Sequence, residues 1–375
     1  MNAETPGQRI VIGMIDGFGT DYFAAQPMPN LRHMAAAGLE REVKAIMPTV
    51  TNVNNVSISC SALPREHGLT GNSYYNEDTG EADYMESADF LLKPTISQRA
   101  ARLGVSSALL TCKKKSVNLL ARGAEIAIAA ESPPAAYVER FGAAPNIYSR
   151  EINYWLWTAA ADLLKTRPDI GVLYVHTTDY PMHMWAPDRE ESQEHLRRLD
   201  ALIGQAVEAA PDAAFFLTAD HGMNYKKRCW DLDKALGARG SQVRFALSAE
   251  KDRYVKHHRT FGGTAYVWLN TPADAPEVRE RILKLEGIEA VMTREEAAQA
   301  FDLMPERIGE LVVTGDRETV FGELAGEFEA LEPGYRSHGS LHESDVPLVI
   351  YHCKQQVPAP GAFTRNADLV HFMLR

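Results

Sequence analysis

The run Phe215-Phe216-Leu217-Thr218-Ala219-Asp220-His221-Gly222 constrains this chain more than any other stretch. A short apolar segment reads as a buried strand, and it ends abruptly in a carboxylate and an imidazole followed by glycine. Other apolar runs stop in the same manner. Ile10 to Ile15 reads as a central parallel strand, buried on both faces, and ends at Asp16-Gly17. Val105 to Thr111 runs into Cys112-Lys113-Lys114-Lys115, and Gly171 to His176 runs into Thr177-Thr178-Asp179. Between such strands lie helical stretches, including Asn153 to Thr166 and Glu190 to Glu208, the latter amphipathic through Leu196, Leu199, Leu202, Ile203 and Val207. This is the pattern of an α/β fold on a mostly parallel sheet, and in such sheets ligands gather beyond the carboxyl ends of the strands.

Two other segments add polar groups to that edge. Pro48-Thr49-Val50-Thr51-Asn52-Val53-Asn54-Asn55 leads into a helix expected over Val56 to Leu63. Its threonines and amides could be plain caps. At a helix N-terminus, however, a hydroxyl such as Thr51 becomes a nucleophile once a metal lowers its pKa. Asp179 and His183 are spaced i, i+4, with Pro181 suited to a first helical turn, which can aim carboxylate and imidazole at one metal. A lysine triplet is ordinarily a solvated face; on the ligand edge the alternative is an anion clamp. Singly, Asp16 before Gly17 could be a turn residue and Asp220-His221 a cap. Together, Asp16, Thr51, Asp179 and Asp220-His221 are better explained as one site.

From Trp230 to Leu331 the texture changes to α+β: strands over Ala265–Leu269, Ile288–Met292 and Leu311–Gly315, helices over Pro276–Leu285 and Arg294–Ala300. Residues 230–331 read as an inserted cap within a metal-binding catalytic core of residues 1–229 and 332–375. The formal charge of −11 and the lack of a long basic stripe exclude a nucleic-acid surface. No stretch is apolar and long enough to span a membrane, and the polar N-terminus lacks the apolar core of a signal peptide. The four cysteines, Cys60, Cys112, Cys229 and Cys353, form no CxxC pair, which points to free thiols in a cytoplasmic setting. The oligomeric state is left open, a homodimer included.

In this order these residues resemble the alkaline phosphatase superfamily, in its nucleotide pyrophosphatase/phosphodiesterase-like branch, and within it the phosphonoacetate hydrolases. The motifs are Thr-Asn-x-Asn-Asn at Thr51–Asn55, His-Gly-x-x-Gly-Asn at His67–Asn72, Thr-x-Lys-x-Lys at Thr111–Lys115 and Thr-Thr-Asp-Tyr at Thr177–Tyr180. Ala-Asp-His-Gly-Met-Asn at Ala219–Asn224 and Arg-Ser-His-Gly at Arg336–Gly339 complete the set. The resemblance implies an alkaline-phosphatase-like α/β core with an inserted α+β cap, and two zinc ions. One zinc would be held by Asp16, Asp220 and His221 with Thr51 as nucleophile, the other by Asp179, His183 and His338. Asn72 would bind a phosphoryl oxygen, and Lys113 and Lys115 the substrate carboxylate. The implied reaction cleaves the C–P bond of phosphonoacetate through a phosphothreonine. The alternatives are a nucleotide phosphodiesterase or phosphomonoesterase on the same metal centre, or a hydrolase of a related carboxylated phosphonate; in every case the substrate is a small anionic phosphonate or phosphate ester. Departures from the pattern are Lys114, Ser340-Leu341-His342 after His338-Gly339, and Arg259-Thr260-Phe261 after His257-His258. His342 reads as a surface residue, the alternative being an extra group behind the metal ligands.

Overall fold

Apolar runs separated by scores of residues end at one level because they are neighbours in one sheet. The structure is a computed structural model that describes residues 7–237, 242–253, 256 and 258–374. The central sheet has seven strands: β1 (Ile10–Met14), β2 (Leu39–Lys44), β3 (Ser107–Thr111), β4 (Ile126–Ala129), β5 (Val172–His176), β6 (Ala214–Thr218) and β7 (Asp345–Tyr351). Their spatial order is β2-β7-β6-β1-β5-β3-β4. β6, β1, β5, β3 and β4 pair in parallel, and β7 runs antiparallel between β6 and β2. Every residue of β1, β3, β5 and β6 is buried, as expected for strands covered on both faces. Gly13 in β1 has a packing reason: a Cβ there would lie 2.5 Å from Leu217 and 3.1 Å from Trp157, which the Glu151–Thr166 helix presses onto the sheet.

The register decides where the site forms. Met14 is level with Thr218 on one side and His176 on the other, and His176 is level with Thr111. Four adjacent strands therefore end together, about 5 Å apart, and release Asp220-His221, Asp16, Asp179 and Lys113 in that order along one edge.

The expected helix starts earlier than its amides suggest, spanning Thr51–Cys60 with Val50 extended before it. Asparagines ordinarily compete with helix by bonding nearby backbone, but here tertiary partners take their side chains. Asn54 exchanges hydrogen bonds with the Ile46 backbone, Asn52 donates to Met85 O, and Asn55 accepts from Tyr174. β2, which sequence did not reveal, is an edge strand with mostly exposed side chains and so carries no apolar signal.

Residues 243–315 hold a separate antiparallel sheet in the order Val243–Ser248, Thr264–Leu269, Leu311–Gly315, Ile288–Thr293. Helices Ala275–Ile282 and Arg294–Phe301 accompany it, and Leu232, Val267, Ile282 and Val313 belong to a buried cluster of its own. A small sheet joins Arg228–Trp230 to Thr319–Phe321 and Phe328–Ala330. Among the described residues no helix is long and apolar enough to cross a membrane.

Candidate active site

Beyond β1 and β6 the chain turns tightly so that carboxylates converge. Gly17 takes a left-handed φ of 74°, and its N–H donates to Asp220 Oδ1 at 3.0 Å. His221 Nε2 then lies 3.3 Å from Asp220 Oδ2, 3.6 Å from Asp16 Oδ1 and 3.5 Å from Thr51 Oγ1. Thr51 is the first residue of its helix, so its hydroxyl sits where backbone N–H groups point outward. Beyond β5 the short helix Tyr180–Met184 carries His183 back over Asp179, Nε2 to Oδ2 being 3.0 Å.

His338 arrives from far along the chain. Arg336–Ser337 pairs with Asn224–Tyr225, and the His338 ring stacks on that of His221 with centroids 3.6 Å apart. Its Nε2 is 3.8 Å from Asp179 Oδ2. The buried Arg336 guanidinium donates to Met182 O and Met223 O, tying the His183 helix to the loop that follows His221.

The imidazoles share one protonation pattern. His183 Nδ1 faces Arg336 O at 2.9 Å, His221 Nδ1 faces Gly222 O at 2.9 Å, and His338 Nδ1 faces Thr49 O at 2.8 Å. A carbonyl only accepts, so each Nδ1 carries the proton and each Nε2 offers a lone pair inward. Burial also holds His221 and His338 below the usual imidazole range, which keeps them neutral. This is the tautomer that binds metal.

Charge in the cluster is unbalanced. Asp16, Asp179 and Asp220 are buried together, and Lys113 Nζ bridges Asp16 Oδ2 at 3.1 Å and Asp179 Oδ1 at 3.2 Å. Burial and the Asp179 charge push Asp16 up, but Lys113 and His176 outweigh them and hold it below the usual carboxylate range. Asp220 is driven well above that range by burial and then by Asp16. Among the described residues, Asp16 Oδ1, Asp220 Oδ2 and His338 Nε2 are buried without a hydrogen-bond partner. Divalent cations fit this donor set, satisfying those atoms and relieving the crowding. Asp16, Asp220 and His221 can close on one ion; Asp179 can share one with His221 and His338, or with His183 and His258.

Residues assigned to substrate also come to this region. Lys113 and Lys115 are buried while Lys114 between them is exposed, so the triplet is not a uniformly solvated face. Lys115 Nζ pairs with Asp252 Oδ2. Asn72 is buried, accepts from Asn52 N at the start of the nucleophile helix at 3.3 Å, and donates to Glu250 Oε2 at 3.1 Å.

Several members escaped the sequence reading. His176 donates from Nε2 to Asp16 Oδ2 at 3.2 Å, with its Nδ1 facing the Asn55 amide and the Thr111 hydroxyl. Its place at the end of β5 was the signal that could have found it. Glu250 reaches within 3.8 Å of His338 and 3.9 Å of His258. Neither Glu250 nor Asp252 has a local signal, for both lie in the polar stretch Ser248 to Arg253. His257 lies outside the described residues. His342 is partly exposed and pairs with the exposed Glu289 at 3.0 Å, as a surface residue would.

A sheet edge that gathers neutral imidazoles, buried carboxylates and a helix-terminal threonine can hold divalent cations beside a hydroxyl nucleophile. Residues 10–339 match the model of the type I phosphodiesterase / nucleotide pyrophosphatase family, and the chain belongs to that family. Among solved structures it is similar to the phosphonoacetate hydrolase of Sinorhizobium meliloti 1021, solved with phosphonoformate and with phosphonoacetate. The phosphonoformate complex superposes with a TM-score of 0.87 at 28% identity, over 99% of this chain and 96% of that one. Murine ectonucleotide pyrophosphatase / phosphodiesterase 5 shares the fold, with a TM-score of 0.69 at 15% identity over 92% and 88% of the two chains. By sequence, the chain is 25% identical over 245 residues to bis(5'-adenosyl)-triphosphatase enpp4 of Mus musculus, 63% of this chain and 52% of that protein. It therefore spans about half the length of that relative.

Proposed function

We propose that this protein hydrolyses phosphonoacetate to acetate and phosphate with two zinc ions. The observation that carries the proposal is the burial of both Lys113 and Lys115: Lys113 bridges Asp16 and Asp179 within the carboxylate–imidazole cluster, and Lys115 pairs with Asp252, two residues from Glu250. Likeness to the Sinorhizobium enzyme over nearly the whole chain supports the same substrate. Asp16, Asp220, His221 and Thr51 are assigned to one ion, and Asp179, His183 and His338 to the other. When bound, the ions supply Lewis acidity, neutralising phosphoryl oxygens and acidifying hydroxyl groups.

The chain's own residues then have distinct tasks. Thr51 gives up its proton to solvent and its oxygen attacks phosphorus, forming a phosphothreonine as the C–P bond breaks. The bonding pair leaves on the acetate carbon as an enolate, which takes a proton from water. Lys113 and Lys115 hold the carboxylate and stabilise that developing charge. Asn72 donates its amide to a phosphoryl oxygen, and water finally cleaves the phosphothreonine. Residues 230–331 serve as the cap that brings Glu250 and Asp252 to this pocket. The unpaired thiols support a cytoplasmic setting.

A second reading, nucleotide diester hydrolysis on the same residues, is favoured by the curated nucleotide-cleaving relative. Assaying the zinc-loaded protein with phosphonoacetate, methylphosphonate and a nitrophenyl phosphodiester separates the two. Equimolar phosphate and acetate from phosphonoacetate is expected. Turnover of the diester with no phosphate from phosphonoacetate refutes the proposal.

A further inference from the structure

The two inward lysines have different partners. Lys113 faces the core carboxylates Asp16 and Asp179, whereas Lys115 pairs with Asp252 of the inserted segment, both side chains being buried, at 4% and 1% exposure. The same short piece of chain also holds Asn72. Ala249 O accepts from Asn72 N at 2.8 Å, and Glu250 Oε2 accepts from Asn72 Nδ2 at 3.1 Å. The segment Ala249 to Asp252 thus touches two of the groups assigned to substrate.

We propose that Asp252 is a positioning residue that sets selectivity for a carboxylated substrate by fixing the Lys115 ammonium; this rests on the reading of Lys115 given above. An ammonium has three N–H donors and no acceptor, so a pairing with one carboxylate leaves donors free for another. Lysine carries a long, rotamer-rich stem. An ion pair shielded from solvent removes that freedom before the substrate arrives, so its ordering is not subtracted from binding. Glu250 acts through Asn72 on the phosphoryl group common to all substrates. Asp252 acts through Lys115 on the tail that distinguishes them. The insert, not the core, thereby reads the difference.

The test is calorimetric titration of the zinc-loaded chain carrying Thr51→Ala, which stops turnover, with phosphonoacetate and with methylphosphonate as its carboxylate-free counterpart. Asp252→Asn is expected to lower the preference for phosphonoacetate about tenfold or more, while Asp252→Glu restores most of it. Lys115→Met is expected to lower the preference at least as far as Asp252→Asn does, Lys113 keeping the remainder, and adding Asp252→Asn to it to change nothing beyond about twofold. Comparing Lys115→Met with the double variant, which removes both charges, decides the matter even where Asp252→Asn alone does not fold. The inference is overturned by an unchanged preference in Asp252→Asn, by a further loss in the double variant, or by both ligands weakening in step. Failure of the C–P proposal is seen separately, as absent phosphate release with Thr51 intact.

Discussion

Lys113→Met removes the ammonium that bridges two buried carboxylates, and its cost can be worked from the geometry. At separations of 3.1 and 3.2 Å, and an effective dielectric of about 20, each contact with Asp16 and Asp179 is worth about 5 kcal/mol before desolvation. Desolvation of the buried ammonium cancels much of this, and breaking a buried pair by removing one partner typically costs about 3–5 kcal/mol. In chelator, the variant is therefore expected to lose about 3–5 kcal/mol of unfolding free energy. With excess zinc, cations neutralise the same carboxylates and the loss should shrink to less than half. Urea unfolding of parent and variant, in chelator and in zinc, measures both quantities. Acid sensitivity gives an independent check. Asp16 is held below its ordinary range, so it contributes stability above its unfolded pKa of about 3.9 and loses it as pH falls through the folded value. Removing Lys113 raises the folded value and must move that acid limb to higher pH. An equal loss with and without zinc, or a loss below about 1 kcal/mol in chelator, refutes the charge-balance reasoning.

Three further expectations follow from the same geometry. Thr51→Ala should abolish phosphate release while zinc content, read by metal analysis, stays near that of the parent; persistent turnover contradicts the nucleophile assignment. His176→Ala leaves Asp16 without an orienting donor and should weaken zinc binding by about 10–100-fold in a chelator competition, with the fold retained by circular dichroism. His221 and His338 are held below the usual imidazole range by burial, so in chelator the unfolded chain binds more protons than the native one as pH drops below about 6.5. Stability of the zinc-free protein should be flat above that pH and decline below it, and His338→Asn should lessen the decline measured by urea unfolding.

Much of the site was legible in single segments. Asp16, Asp179 and Asp220-His221 announced themselves because a fully buried parallel strand shows a nearly unbroken apolar run, and the first polar residues beyond it mark the edge. The strand Leu311–Gly315, though antiparallel to its neighbours, was legible to the residue because it too is buried along its whole length. The edge strand Leu39–Lys44 was not, because an exposed strand has no apolar run to read. The amides of Thr51–Asn55 suggested chain outside a helix, whereas Ile46, Met85 and Tyr174 satisfy them inside one.

The sequence by itself therefore determined which carboxylates and imidazoles follow which strand ends. It did so because burial and strand period are properties of neighbouring residues. Only the tertiary structure decided the partners. It faced Lys113 with Asp16 and Asp179 but Lys115 with Asp252, set His338 against His221, and brought His176 and Glu250 into the cluster. Those pairings join segments separated by scores to hundreds of residues. Electrostatic and hydrogen-bond energies depend on distances that chain order does not contain.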